Sequence, residues 1–247
     1  FFRSSSYLPG GSIPAAVYTG MVKTGFRPPD SPNELPFTVP GNAMISSLLR
    51  LVANDVLSQV PAGSVYSSLS KALAKEMLAY AESIKQAIFK YGIVREDGQD
   101  IFAYEVDGTG SYRLYDDSNL PSLLSMPYLG FLPLDDPTYL RTRRFILSYR
   151  NEFFYARGQL NGVGSSHTSP RYVWPLALIT QILTSSSDAE IRNCLDTLVK
   201  SAKDNLMHES FSVDNPTQIT REWFAWANSF FGEMIMHLAD TNPSVLN

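Results

Sequence analysis

The chain has 247 residues, 44% hydrophobic and 18% charged, enough apolar side chain for one large or two small globular domains. A net charge of −4, with no basic block and no Lys/Arg helix face, argues against nucleic acid as a partner. The longest nearly pure apolar run, VWPLALITQIL (173–183), is too short to cross a bilayer. A single cysteine, Cys194, excludes an internal disulfide framework and a cysteine metal cluster.

Apolar spacing of three and four residues marks the helices. Ile45, Leu48, Leu49, Val52 and Val56 line one face of a first helix, with Asn42 as its cap. Tyr66, Leu69, Leu73, Met77, Tyr80, Ile84, Ile88 and Tyr91 form a long second helix that Gly92 ends. A shorter third is expected from about Pro121 to Phe131. The fourth begins at Asp136 as cap with Pro137 in its first turn. A fifth covers about 171–184, and a sixth opens at SDAE (187–190), a capping-box pattern. The seventh repeats apolar residues at Trp223, Trp226, Ala227, Phe230, Met234 and Leu238, a stripe expected to pack in the core. Only DIFAYEVDGTGSYRLY (100–115) reads as strand, a hairpin around DGTG.

Short and long connections alternate along this series. Helical hairpins set side by side require that alternation, and it puts every long loop on one rim. The expected fold is therefore all-α: an (α/α)6 toroid, incomplete at seven helices, with a small β-hairpin insertion.

Four long loops share that rim: 18–37, 105–119, 161–175 and 207–216. They carry Arg27, Asp30, Asp107, Asp116, Asp117, Asn119, His167, His208, Glu209 and Asp214 among many Tyr, Phe and Trp side chains. Carboxylates, an arginine and aromatic walls suit a sugar: hydroxyls need charged or amide partners, and apolar sugar faces pack on rings. Glycoside hydrolysis also needs two carboxyl groups, a proton donor and a base or nucleophile. Plainer roles stand beside each residue. Asp116 and Asp117 suit a helix cap, Asp107 a turn, His167 a hydrogen-bonded structural position. A zinc site at His167, His208 and Glu209 lacks any H-E-x-x-H spacing, and GVGSSHT lacks a G-x-S-x-G elbow, so no metal or other cofactor is expected.

The blocks YTGMVKTGFRPPD, YEVDGTGSYRLYDDSNLPSLLSMPYLGF, GVGSSHT with YVWPLALITQ, MHESFSVDNP and TREWFAWANSFFGE occur in this order. Together, from about Val17 to Glu233, they resemble glycoside hydrolase family 125. The resemblance implies an exo-acting, inverting α-1,6-mannosidase without a catalytic metal, on an (α/α)6 barrel, with α-1,6-linked mannosides as substrates. It implies general acid at Asp30, the Asp of GFRP-x-D, and general base at Glu209, the Glu of MHE. Asp30 sits in a Pro-rich, aromatic-flanked loop whose burial would favour the protonated carboxyl. Arg27, Asp116, Asp117, Asn119 and His167 match motif positions for a terminal mannose, and Trp223 and Trp226 match a block that walls the pocket.

Two departures qualify this. The family often has a second Asp after the acid, where this chain has Ser31. Family members also carry a further N-terminal half, with a block resembling GDIPAMWLRDS, and nothing like it occurs here. Residues 1–247 thus read as the C-terminal part of one catalytic domain, with the missing N-terminal half as its partner and with helix faces left exposed. The opening stretch FFRSSSYLPGGSIPAA matches none of the blocks. Two other readings stay open: a related glycosidase of different linkage specificity, and a non-catalytic mannoside-binding or scaffolding protein.

Overall fold

The computed structural model describes residues 16–157 and 160–246. Nearly all of the opening FFRSSSYLPGGSIPAA stretch lies outside them. Strand β1 (Phe37–Thr38) leads directly into helix α1 (Val39–Leu51), whose first turn holds Pro40. Asn42 is not the cap expected from the sequence. It lies inside α1, buried, and accepts from Val22 N at 2.7 Å while donating to Val22 O and Thr38 O. It therefore fastens the preceding long loop to the helix.

After α1 the chain continues through a wide π turn (Val52–Val56) and a short 3-10 turn into α2 (Ser67–Tyr91). Gly92 ends α2 as expected, for a different reason. Its φ is −88°, and a Cβ there would stand 2.7 Å from Ile88 O and 2.9 Å from the Val39 side chain. The stripe of α2 is buried only at its far end, at Ile84 and Ile88, whereas Tyr66 and Leu69 are 66% and 65% exposed. On α1, Leu48 and Leu51 are exposed while Asn42, Ala43, Ser46 and Ser47 are buried.

The all-α expectation is corrected: ten short strands in four small sheets join six α-helices among the described residues. β2 (Ile93–Glu96) and β3 (Gln99–Phe102) form a hairpin over Asp97-Gly98, both at positive φ. β4 (Glu105–Val106) pairs with β1 and with β5 (Tyr112–Arg113), so the predicted DGTG hairpin exists as part of a three-stranded sheet. The predicted third helix is a run of turns. Asp116 takes the N–H groups of Leu123 and Leu124, and Ser122 and Ser125 bond each other, so side chains satisfy the backbone that a helix would have used.

Helix α3 (Pro137–Ile146) starts where expected, Asp136 accepting from Tyr139 N at 2.8 Å. β6 (Phe154–Arg157) and β7 (Leu160–Val163) form another hairpin, and β8 (Tyr172–Val173) precedes α4 (Pro175–Leu183). Helix α5 (Asp188–Ser201) is capped by Ser187, but Glu190 turns to Arg143, Gln181 and Ser185 rather than closing a capping box. β9 (Ser210–Ser212) pairs with β8 and with β10 (Ile219–Thr220), and α6 (Ala225–Thr241) follows. One core joins α1, α2, α3 and the first sheets; a second joins α4, α5 and α6 around Trp174, Phe211 and Met234. None of the described helices is long and apolar enough to cross a membrane.

Candidate active site

Side chains of the first three long loops contact one another, and the fourth joins the third through the β8–β9 pairing. Residues 24–36 form a hairpin, tied by Thr24 N to Pro36 O and by the Phe26–Pro32 bridge. Its tip is a tight turn in which Arg27 N donates to Ser31 O at 2.8 Å and Asp30 N to Arg27 O at 3.0 Å. Asp30 sits on that tip, exposed, with φ at 64°. Its surroundings thus differ from the buried loop anticipated for it.

Arg27 is buried. Its Nη2 donates to Ser166 Oγ at 3.0 Å, which in turn donates to Ser31 Oγ at 3.0 Å, so Ser31 joins the second-Asp position to the GVGSSHT loop. The guanidinium lies 5.1 Å from the centre of the Tyr115 ring. Burial opposes its charge, but Tyr115 and Asp117 beside it outweigh that and hold its pKa above the ordinary value. Arg27 Nε and Tyr104 Oη are buried without a protein hydrogen bond.

Asp117 accepts from Asn119 N at 3.1 Å, Asn119 Nδ2 at 3.0 Å and Ser165 Oγ at 2.9 Å. Burial pushes its pKa up, against those bonds and Arg27. Asp116 is turned the other way: its oxygens accept from Leu123 N at 2.8 Å and Leu124 N at 3.0 Å. The helix cap weighed for it is not formed, because no helix follows; it holds a turn instead, and burial pushes its carboxyl up to about 8. Asp107 likewise serves its turn, accepting from Thr109 and Ser111.

Aromatic rings connect this half of the site to the MHE loop. His167, exposed, donates its backbone N–H to Ser165 Oγ and sets its ring edge-on to Trp174, centroids 6.2 Å apart. Trp174 donates to Thr168 Oγ1 and meets Phe224 edge-on at 6.1 Å. Arg221 lies over Phe224, and its Nε stands 3.5 Å from Glu209 Oε1. Glu209 itself is 7% exposed. His208 is held within the chain: Nδ1 donates to Glu222 O at 2.6 Å, which leaves Nε2 to accept from Lys203 N at 3.2 Å.

Trp223 and Trp226 depart from the expected core stripe. Trp223 precedes α6 and is 65% exposed, and Trp226 is 39% exposed with its ring 6.2 Å from Phe224. The stripe proper runs through Ala227, Phe230, Met234 and Leu238. Asp30 and Arg221 both hold left-handed backbone, at φ 64° and 48°, a conformation that costs a non-glycine residue ~1–3 kcal/mol and clusters at functional sites.

Glu105, Tyr115, Ser165, Ser166 and Arg221 were not singled out from the sequence. For Glu105 a signal existed: a carboxylate inside the apolar run IFAYEV is out of place in a half-buried strand unless it has partners.

Of the two carboxylates, on separate loops, Glu209 is buried beside Arg221 and Asp30 stands at an exposed loop tip. Comparison with known proteins makes the class definite. The chain has the fold of a solved α-mannosidase from Streptococcus pneumoniae, described among widely distributed metal-independent α-mannosidases and held in a non-productive complex with α-1,6-mannobiose. The TM-score is 0.84 at 39% identity, over 93% of this chain and 53% of that one. It is also 40% identical, over 97% of its length, to the meiotically up-regulated gene 157 protein of Schizosaccharomyces pombe, of which it covers 46%. The chain spans about half the length of the relatives it matches.

Residues 5–236 match the family model for metal-independent α-mannosidases, GH125, and the chain belongs to that family. The match begins before Val17, so it takes in most of the opening stretch that matched none of the blocks in the sequence.

Proposed function

We propose that this chain carries both catalytic carboxylates of an inverting exo-α-1,6-mannosidase. Asp30 donates a proton to the glycosidic oxygen as the bond to the leaving sugar breaks. Glu209 takes a proton from a water that attacks the anomeric carbon from the opposite face, releasing β-mannose. Inversion by this route requires the two carboxyls roughly 6.5–9.5 Å apart in the working enzyme, wide enough for the water. Arg27, Asp117, Asn119 and His167 form the polar side of the mannose site; Trp223 and Trp226 wall it. Asp116 shapes the turn that follows Asp117.

The observation that carries the reading is the series of contacts that runs from the Asp30 hairpin through the Asp117–Ser165 cluster and the rings of His167, Trp174 and Phe224 to the Arg221–Glu209 pair. Membership of an α-mannosidase family supports the reaction class. The linkage rests on the α-1,6-mannobiose bound by the S. pneumoniae relative. The (α/α)6 toroid is proposed on the same footing. The exposed apolar residues of α1 and α2 fit a further set of helices packing there, supplied by the relatives' remaining length and completing one catalytic domain.

The test is hydrolysis of α-1,6-mannobiose by the full natural protein, followed by NMR of the first-formed anomer. β-Mannose appearing first supports the proposal. α-Mannose first would replace inversion by retention. Binding without turnover would favour a mannoside-binding role.

A further inference from the structure

Glu105 is fully buried yet belongs to none of the positions so far tied to sugar chemistry. It lies in the middle strand of its sheet, opposite Thr38 on one side and Arg113 on the other. Its Oε2 accepts from Glu34 N at 2.9 Å and Leu35 N at 2.8 Å, and its Oε1 accepts from the Tyr115 hydroxyl at 2.5 Å. A buried carboxylate is costly unless fully bonded, so its partners indicate what it holds.

Glu34 and Leu35 form the base of the 24–36 hairpin. Tyr115, fixed by its hydroxyl and stacked on Tyr104 at 4.6 Å, presents its face to Arg27 in the hairpin tip. One carboxylate therefore grips the base of the hairpin directly and its tip through Tyr115 and Arg27.

We propose that Glu105 is the positioning residue of the Asp30 loop, docking both ends of the hairpin so that the Asp30 carboxyl is presented at a fixed place beside the Asp117–Ser165 cluster. The catalytic consequence rests on Asp30 being the proton donor; the docking does not. A residue that merely stabilised the core would loosen both cores when altered. A docking residue loosens one hairpin.

Amide hydrogen exchange separates these. In Glu105→Gln, which keeps the size but loses the charge, amides of 24–36 are expected to exchange about tenfold to a hundredfold faster, the loss of charge-assisted bonds. Those of α4 and α5 are expected to stay unchanged. Tyr115→Phe, which removes only the hydroxyl, should give a smaller acceleration in the same segment, and it carries the test should Glu105→Gln fail to fold. In the full natural protein, kcat on α-1,6-mannobiose should fall about tenfold or more in Glu105→Gln while KM moves little. Unchanged exchange in 24–36, or equal acceleration throughout the chain, overturns the proposal. A wild-type protein that cannot hydrolyse the disaccharide but shows the hairpin-confined response would overturn the role of Asp30 and uphold that of Glu105.

Discussion

Arg221 Nε stands 3.5 Å from Oε1 of Glu209, and strand register puts it there. β9 and β10 pair antiparallel with Ser210 opposite Thr220, so the residues just beyond the two strands are Glu209 and Arg221. The pair thus extends a two-strand ladder at the point where Arg221 takes left-handed backbone and lays its guanidinium over Phe224. If Glu209 is the base, Glu209→Gln should lower kcat/KM for α-1,6-mannobiose about 10²–10⁴-fold with the thermal midpoint unchanged. Arg221→Met, which removes the cation from a half-exposed pair, should cost about tenfold in kcat. Full activity in Glu209→Gln would remove Glu209 from the chemistry.

Asp30 gives a different kinetic signature. A proton donor matters most when the leaving group is a poor one. Asp30→Asn should therefore lose about 10²–10⁴-fold on mannobiose and far less on an aryl mannoside whose phenolate leaves unaided. Equal losses on the two substrates would show that Asp30 binds sugar rather than delivering a proton.

Asp116 makes stability depend on pH. Its carboxyl is pushed up to about 8 from an ordinary 3.8, burial being the main cause. The folded state thus holds this proton more tightly than the unfolded chain. The associated stability is complete below the unfolded value and is lost as pH rises through the folded one. Stability should fall between about pH 4 and pH 8, by at most ~1.4 kcal/mol per pH unit for this group. Asp117 and Glu105, both raised by burial, act in the same direction. Urea midpoints measured across that range should show a shallower slope for Asp116→Asn; an identical slope would exclude Asp116 as its source.

Gly164 controls the approach of the Ser165–Ser166 segment. A Cβ there would collide with the Tyr172 carbonyl and stand 2.8 Å from the Tyr155 ring. Its carbonyl accepts from Ser118 N at 3.1 Å, so any retreat displaces the loop that bonds Asp117 and Arg27. Gly164→Ala should cost about 1–3 kcal/mol and lower the thermal midpoint. Because displacing the loop also breaks its bonds to Asp117 and Arg27, weaker mannoside binding should accompany the loss. A fully stable variant would show that the loop yields without cost.

Helix α3 and its Asp136 cap were legible because capping is local: the side chain reaches the N–H three residues on. The same locality made α2 and α6 readable from their spacing and α5 from its Ser187 cap. The Asp97-Gly98 hairpin carried an equally local signal, the DG turn, although the sequence reading placed strand only at 100–115. The predicted helix at 121–131 failed because Asp116, several residues upstream, takes two of its backbone donors, which no periodicity expresses.

By itself the sequence determined six of the seven helices expected from it, the order of the loops between them, the blocks that mark the family, and the acid and base candidates those blocks contain. These are properties of residue type and short-range spacing. Tertiary structure alone decided that Asp116 turns inward to a backbone turn while Asp117 faces Ser165, that Trp223 and Trp226 are exposed, and that Glu105 anchors the Asp30 hairpin. Each of those depends on which groups from distant segments remove a side chain from water. A carboxylate reads the same in sequence whether its partners are solvent, substrate or buried backbone N–H groups.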